Sequence, residues 1–491
     1  MGSAGAVWFV YAHGWTFYYG DAEAHWDIAR QILDSQTPGY DQIGTVWLPL
    51  PHLLLMPLAQ IDGWWRNGLA AAIPSAVSFV LAGGFLFSAA RRVFDSGAAA
   101  AAATALFALN PNVLYLQSIP MTEAVFWAAW MAVLYCTVRF GQTPGWGVVA
   151  GAGTACGLAT LTRYEGWFLI PFVAAYFLGS AKRNRWWVAA LFSALAAVGP
   201  AYWLAHNWWL TGDPLEFYRG PYSALAIQGP GVYPGRGNWG LAAVYLGTAA
   251  ELCAGAGLWW IGLAGVVAAA IKRAFWPLVL LALPPAFILW SMHAGASPIF
   301  VPTLWPNSFY NTRYGLAVLP LLAFASAGLV SAVPRRFRGS AAGLVVAAVL
   351  VYWTAHAGPQ NWITWRESEA NSEGRREWVR QAADYLGPRY VAHSGILSAS
   401  GEFRAVYREL GIPLGESFTV NNGLPWLATI RRPDLFLWQE WALAMGGDAA
   451  QTAVNRAGRY GIRYRLEKTI IVKGAPVVEI YRRIGGRHGS A

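Results

Sequence analysis

Apolar runs of about 20 residues recur from the start of the chain to about residue 357, each closed by a short polar turn. A run of that length crosses the hydrocarbon of a bilayer as a helix. The pattern predicts spans at about 1–19, 68–90, 97–111, 122–139, 147–162, 166–181, 186–209, 252–271, 275–293, 314–332 and 340–357, about eleven in all. Residues 47–62 are apolar but rich in proline, and read as a re-entrant or additional span. The first run is brief, with no Lys or Arg before Arg30 and no small-residue cleavage site. It reads as a short or truncated span rather than a signal peptide.

The polar turns carry a second pattern. Basic clusters at Arg91-Arg92, Arg139, Lys182-Arg183-Arg185, Lys272-Arg273 and Arg335-Arg336-Arg338 fall on alternate turns. The positive-inside rule makes that side cytoplasmic. Of the acids before residue 358, only Asp95 falls with them. The expected topology is a multi-pass protein of the inner (plasma) membrane, with a cytoplasmic N-terminus and an extracytoplasmic C-terminal part.

From about residue 358 the spacing changes, and the tail holds about half of the charged residues. The predicted organisation is a transmembrane domain at 1–357, with a first outer loop at 20–46, and a soluble α/β domain at 358–491. Predicted strands are Tyr390–His393, Asp434–Trp438, and the pair Lys468–Val472 and Val477–Tyr481 around the turn Lys473-Gly474-Ala475-Pro476. Predicted helices are Asn371–Leu386 and Ala449–Tyr460.

Composition agrees. The chain is 56% hydrophobic and only 12% charged, about half the charge of a soluble domain. Its 28 Trp include the pairs Trp64-Trp65, Trp186-Trp187, Trp208-Trp209 and Trp259-Trp260, which suit interfacial belts. The net charge of +10 follows topology, so no nucleic-acid partner is expected. Cys136, Cys156 and Cys253 lack disulfide or metal spacing and read as packing residues. No internal repeat, P-loop or GxGxxG occurs.

Candidate chemistry gathers on the acidic side. Residues 21–35 read as a surface helix, with Ala22, Trp26, Ala29 and Leu33 as its apolar stripe and Glu23, Asp27, Arg30 and Asp34 as its wet face. Asp21 leads this helix and His25 lies one turn on. Asp21 is either a helix N-cap or a general base that takes a hydroxyl proton; Glu23 is near enough to act or to orient it. Glu123 opens a span as a capping acid or faces the same cavity. In Thr162-Arg163-Tyr164-Glu165-Gly166, Arg163 either pairs with Glu165 alone or holds a phosphate in its planar fork. In Tyr310-Asn311-Thr312-Arg313-Tyr314, Arg313 has the wrong sign for a helix start, which calls for a partner anion, with phosphate preferred. The loop 211–219 reads as turn chemistry, with Arg219 as an alternative phosphate contact less favoured than Arg163 and Arg313. His52 either meets a sugar or bonds a carbonyl. His13, His25, His52, Asp21 and Glu23 share one side without tight ligand spacing, so a divalent metal is possible but not favoured and no cofactor is required.

These residues together resemble the GT-C membrane glycosyltransferases, near the protein O-mannosyltransferase and lipid A aminoarabinose transferase group. The likeness rests on Asp21, Glu23 and His25, on the proline-rich segment Pro49 to Pro57, on the Thr-Arg-Tyr-Glu-Gly turn and on Asn-Thr-Arg-Tyr, and covers about residues 1–357. It implies a polyprenyl-phosphate sugar donor, an inverting displacement and an outer-face site under the first loop, whose acid is the base. Many members have adjacent Asp-Glu there; this chain has Asp21-Ala22-Glu23, and Asp21 is the choice for base. The Trp-Trp-Asp motif of the oligosaccharyltransferase branch is not found, since Trp438-Gln439-Glu440-Trp441 departs from it. Other expected partners are membrane lipid and an acceptor of open identity: glycan, lipid or protein. The rival readings are a polytopic transporter and a lipid-linked glycan ligase or polymerase.

Overall fold

A computed structural model describes residues 2–485 apart from 230, 232 and 400. By contacts the chain forms two compact units. One comprises 1–15, 45–51 and 72–367; the other comprises 16–44, 52–71 and 368–491. The contact-based division is therefore not a single cut near 358, because most of the first loop groups with the tail.

The first unit is helical. Among the described residues, six helices are long and apolar enough to cross a membrane: Leu69–Phe94, Thr122–Gln142, Arg185–Thr211, Phe275–Ala294, Thr312–Ala332 and Arg335–Ala355. Counting one bent pair as a span makes seven. The expected count of about eleven is not reached by length. The runs at 97–111, 147–162 and 166–181 form the shorter apolar helices Gly97–Ala108, Trp146–Thr160 and Glu165–Ser180. The first run contains the helix Gly2–Ala12.

The bent pair differs most from the sequence reading. Instead of one span at 252–271, Trp239–Ala254 and Ala256–Ile271 meet at 112°. Gly255 sits at the break with φ of +76°, where a side chain would be strained and would strike Tyr352 and Trp353. The break leaves carbonyls without helical partners, and Cys253 O accepts hydrogen bonds from both Asn110 Nδ2 (2.9 Å) and Asn112 Nδ2 (3.1 Å). Asn112 Oδ1 in turn accepts from the backbone N–H and hydroxyl of Thr364, at 3.1 and 2.9 Å. The Asn110-Pro111-Asn112 turn thus satisfies backbone groups that the helices leave without partners.

The second unit holds a five-stranded mixed sheet. Its strands are β1 (Ile396–Ser398), β2 (Ser417–Phe418), β3 (Trp441–Met445), β4 (Arg463–Ile470) and β5 (Val478–Gly485), in the order β2-β1-β3-β5-β4. β1 pairs in parallel with β2 and β3; β5 pairs antiparallel with β3 and β4. The expected hairpin forms around Gly474, whose φ is +77°. The other two expected strands do not form. Residues 390–393 are a turn following the helix Ile363–Leu386, and Pro433–Phe436 is one helical turn, with the strand starting at Trp441. The expected helix at 449–460 is Ala449–Ala457 with a 3-10 extension, Gly458–Tyr460. Trp26, Ala29, Leu55 and Trp65 share one core with Trp378, Tyr407 and Trp441 of the tail. Trp65 is therefore a core residue, whereas Trp186, Trp187, Trp208 and Trp209 are exposed as a lipid-facing belt requires.

Candidate functional site

The first-loop helix runs Gly20–Gln31, with Tyr19 at its N-cap position. Asp21 is half-buried in its first turn and is not the capping residue. Glu23, Asp27 and Arg30 were expected on a wet face, but all three are buried, while Leu33 of the expected apolar stripe is 58% exposed. The reason is packing against the tail. Glu23 takes a hydrogen bond from Arg408 Nη2 and lies 3.4 Å from Arg375 Nε. Asp27 accepts from Trp65 Nε1 at 3.2 Å and lies 3.6 Å from Arg408 Nη1. Burial pushes the Asp27 carboxyl up to about 6, with Arg408 pulling it down and Glu23 pushing it up. Arg30 bonds Asp34 (2.7 Å), Asp62 (2.6 Å) and the carbonyls of Ala59 and Gln60. His25 Nδ1 and His52 Nε2 are 2.9 Å apart, both rings buried. His52 therefore has its ring inside the protein, bonded to another ring rather than to a carbonyl through that nitrogen.

In the membrane unit, five of the candidate residues meet: Glu123, Arg163, Glu165, Arg313 and Tyr314. Glu123 lies in the first turn of the helix Thr122–Gln142, Arg163 in the turn before the helix Glu165–Ser180, and Arg313 in the 3-10 helix Thr312–Val318. Arg163 Nη1 reaches Glu123 Oε1 at 2.9 Å and Thr122 Oγ1 at 3.0 Å; its Nη2 reaches Glu165 Oε1 at 2.8 Å. Arg313 Nε approaches the same Glu123 oxygen at 3.3 Å. Two guanidiniums thus converge on one carboxylate oxygen, and the Tyr314 ring centre is 5.4 Å from both. Glu123 Oε2 is buried with no hydrogen-bond partner among the described residues. A narrow cavity here is walled by Phe126, Trp127, Trp130 and Ile288.

The anion that Arg313 demands at a helix start is carboxylate in this structure: Glu123, and Glu367 at 3.6 Å. Glu367 also accepts the N–H groups of Asn311 (3.0 Å) and Thr312 (2.7 Å) and the Thr312 hydroxyl. Burial raises the Glu367 carboxyl, opposed by Arg313 and these donors. Gly315 lets this segment seat. A Cβ there would fall 2.4 Å from the backbone of Ala249.

The remaining candidates make contacts of their own. Tyr164 donates to Val46 O (2.7 Å), accepts from Trp203 Nε1 (3.1 Å) and stacks on Phe217. Arg219 is exposed and grips Asp213, with Nη2 to Oδ1 at 2.6 Å. Tyr310 accepts from Gln228 Nε2 (2.9 Å), and Asn311 donates to Pro298 O (3.0 Å). Sequence reasoning missed Glu367, Arg375 and Arg408. Glu367 lies in a stretch that reads as soluble tail, and the arginines lie more than 300 residues from the acids they serve, with no local signal. Among the described residues, no three His, Cys, Asp or Glu side chains are grouped to hold a metal ion.

Residues 49–209 match the model of the dolichyl-phosphate-mannose-protein mannosyltransferase family. No curated protein matches in sequence. Among solved structures, ArnT from Cupriavidus metallidurans bound to undecaprenyl phosphate aligns over 97% of this chain and 96% of its own, with a TM-score of 0.58 and 14% identity. The apo form of the same protein aligns over 94% and 93%, with a TM-score of 0.56 and 14% identity. Over nearly its whole length, then, the chain has the fold of ArnT, and across 49–209 it matches the pattern of the dolichyl-phosphate-mannose-protein mannosyltransferase family.

Proposed function

We propose that the chain transfers a sugar from a polyprenyl-phosphate-linked donor to an acceptor hydroxyl or phosphate at the outer face of the membrane, with inversion. The observation that carries this reading is the convergence of Arg163 and Arg313 on a single oxygen of Glu123. Two guanidiniums that share one carboxylate oxygen have the spacing to share one phosphate oxygen. Glu123 Oε2 is left to accept from a ligand hydroxyl. The fold likeness to a protein solved with undecaprenyl phosphate supports the donor class.

In the reaction, the acceptor oxygen attacks the anomeric carbon and the bond from that carbon to the phosphate oxygen breaks. The electron pair leaves with the polyprenyl phosphate, whose charge cations stabilise. For an acceptor hydroxyl, the proton passes to a carboxylate. We assign that role to Asp21, from its place in the first turn of the first-loop helix.

The test is incubation of the purified protein with a radiolabelled polyprenyl-phosphate sugar and a membrane extract as acceptor. Release of polyprenyl phosphate, with label appearing on a new product, is expected. Movement of label across a vesicle membrane with the donor intact would assign the chain to transport instead.

A further inference from the structure

We propose that the end of the membrane unit carrying Arg91 and Arg92 binds an anionic phospholipid, with the headgroup at these arginines and one acyl chain along a furrow at Gly83 and Gly84. An open cavity of about 670 Å³ is bounded there by Arg91, Arg92, Ser96, Tyr135 and Gln142. Arg92 is held in place. Its Nη1 donates to Gln142 Oε1 (3.2 Å), Gln142 Nε2 donates back to the Arg92 carbonyl (3.0 Å), and the guanidinium lies 5.5 Å from the Tyr135 ring centre. The acid at the rim, Asp95, is taken by Arg335 at 2.7 Å. Among the described residues, no carboxylate pairs with Arg91 or Arg92, so both cations face the opening with their charge uncompensated.

The cavity does not end at the charges. It shares Phe87 and Ser88 with a second, apolar cavity of about 430 Å³ lined by Phe79, Val80, Gly83, Gly84, Thr104 and Ala108. A Cβ at Gly84 would meet nothing within 4 Å, and Val80 beside it is 60% exposed. A basic mouth that opens into an apolar furrow is the shape of an anionic amphiphile. The positive-inside bias accounts for arginines at span ends, but not for a furrow of missing side chains that starts at them. Basic pockets between spans suit anionic headgroups. Small residues also serve helix pairing; yet a symmetric contact with a second copy would set this basic end against its own like charges.

The full-length protein in mild detergent would be titrated with phosphatidylglycerol, phosphatidylcholine and glycerol phosphate, reading retention by native mass spectrometry and the shift in Tm. Phosphatidylglycerol should be retained and raise Tm, whereas the other two should not. The exposed-site variant Arg91→Ala/Arg92→Ala should abolish the preference for phosphatidylglycerol, and Gly84→Leu should cut its retention about tenfold with the lipid-free Tm unchanged. Equal retention of phosphatidylcholine, wild-type retention in both variants, or a Gly84→Leu variant that loses only a dimer would each overturn the proposal.

Discussion

Glu23 and Arg408, 385 positions apart in sequence, form a hydrogen-bonded ion pair in which both side chains are less than a tenth exposed. Arg408 also stacks over Phe17 at 4.1 Å. The helix that follows the first apolar segment is therefore fastened to the tail by charge as well as by Trp26. Removing one member of a buried pair strands the other, a loss of about 3–5 kcal/mol. Arg408→Met should accordingly lower the unfolding free energy of the sheet-containing unit by that order, read as a fall in its denaturant midpoint, and should open the tail to limited proteolysis. The double replacement Glu23→Leu/Arg408→Leu should recover part of the loss.

Asp27 gives a pH signature. Its carboxyl is held at about 6 against an ordinary 3.8, so the folded state favours the protonated form. That contribution is complete below about pH 3.8 and is lost as pH rises through 6. Asp27→Asn keeps an acceptor for the Trp65 indole and removes the titration. The Tm of the variant relative to wild type should rise between pH 4 and pH 7. A constant difference across that window would refute the assignment.

Asp21 is the proposed base and is only half-buried. Asp21→Asn should reduce release of polyprenyl phosphate by about 10²- to 10⁴-fold, the usual worth of a positioned proton acceptor, with Tm unchanged. Near-normal turnover in that variant would move the role elsewhere.

Arg313→Lys keeps the charge that Glu367 and Glu123 require but loses the planar fork. Donor affinity should fall about tenfold while Tm changes little, measured as the concentration of polyprenyl-phosphate sugar giving half-saturation. Unaltered half-saturation would separate Arg313 from the phosphate.

Gly315→Ala tests the seating of the same segment. The added methyl would meet the Ala249 backbone, and overpacking of this kind costs about 1–3 kcal/mol. Both Tm and donor affinity should drop together, because Arg313 and Tyr314 lie on the displaced turn.

The membrane pattern was legible because bilayer thickness imposes a length that hydropathy reports directly. The acids of the first loop and the two guanidinium turns were legible as isolated charges at span ends. What those charges touch was not. The face of Glu23, Asp27 and Arg30 has the periodicity of a solvated surface, and only Arg375 and Arg408, far along the chain, turn it inward. Periodicity also misplaced two tail strands. Tyr390–His393 and Asp434–Trp438 have apolar and aromatic content that suits a strand, but each lies where the backbone turns after a helix or a proline. The hairpin before Val478 was readable because Gly474 supplies a turn conformation that few residues adopt.

The 112° corner at Gly255 depends on two amide side chains contributed from another part of the chain. A carbonyl released from its helix needs a partner from elsewhere. Losing Asn110 or Asn112 therefore leaves three outcomes: the corner straightens, water is drawn inside, or the 239–254 segment fails to settle. Because Thr312 O receives the Cys253 thiol beside that corner, straightening it would drag the Arg313 turn along. Two asparagines of one turn thus bear on how the cationic turn is built.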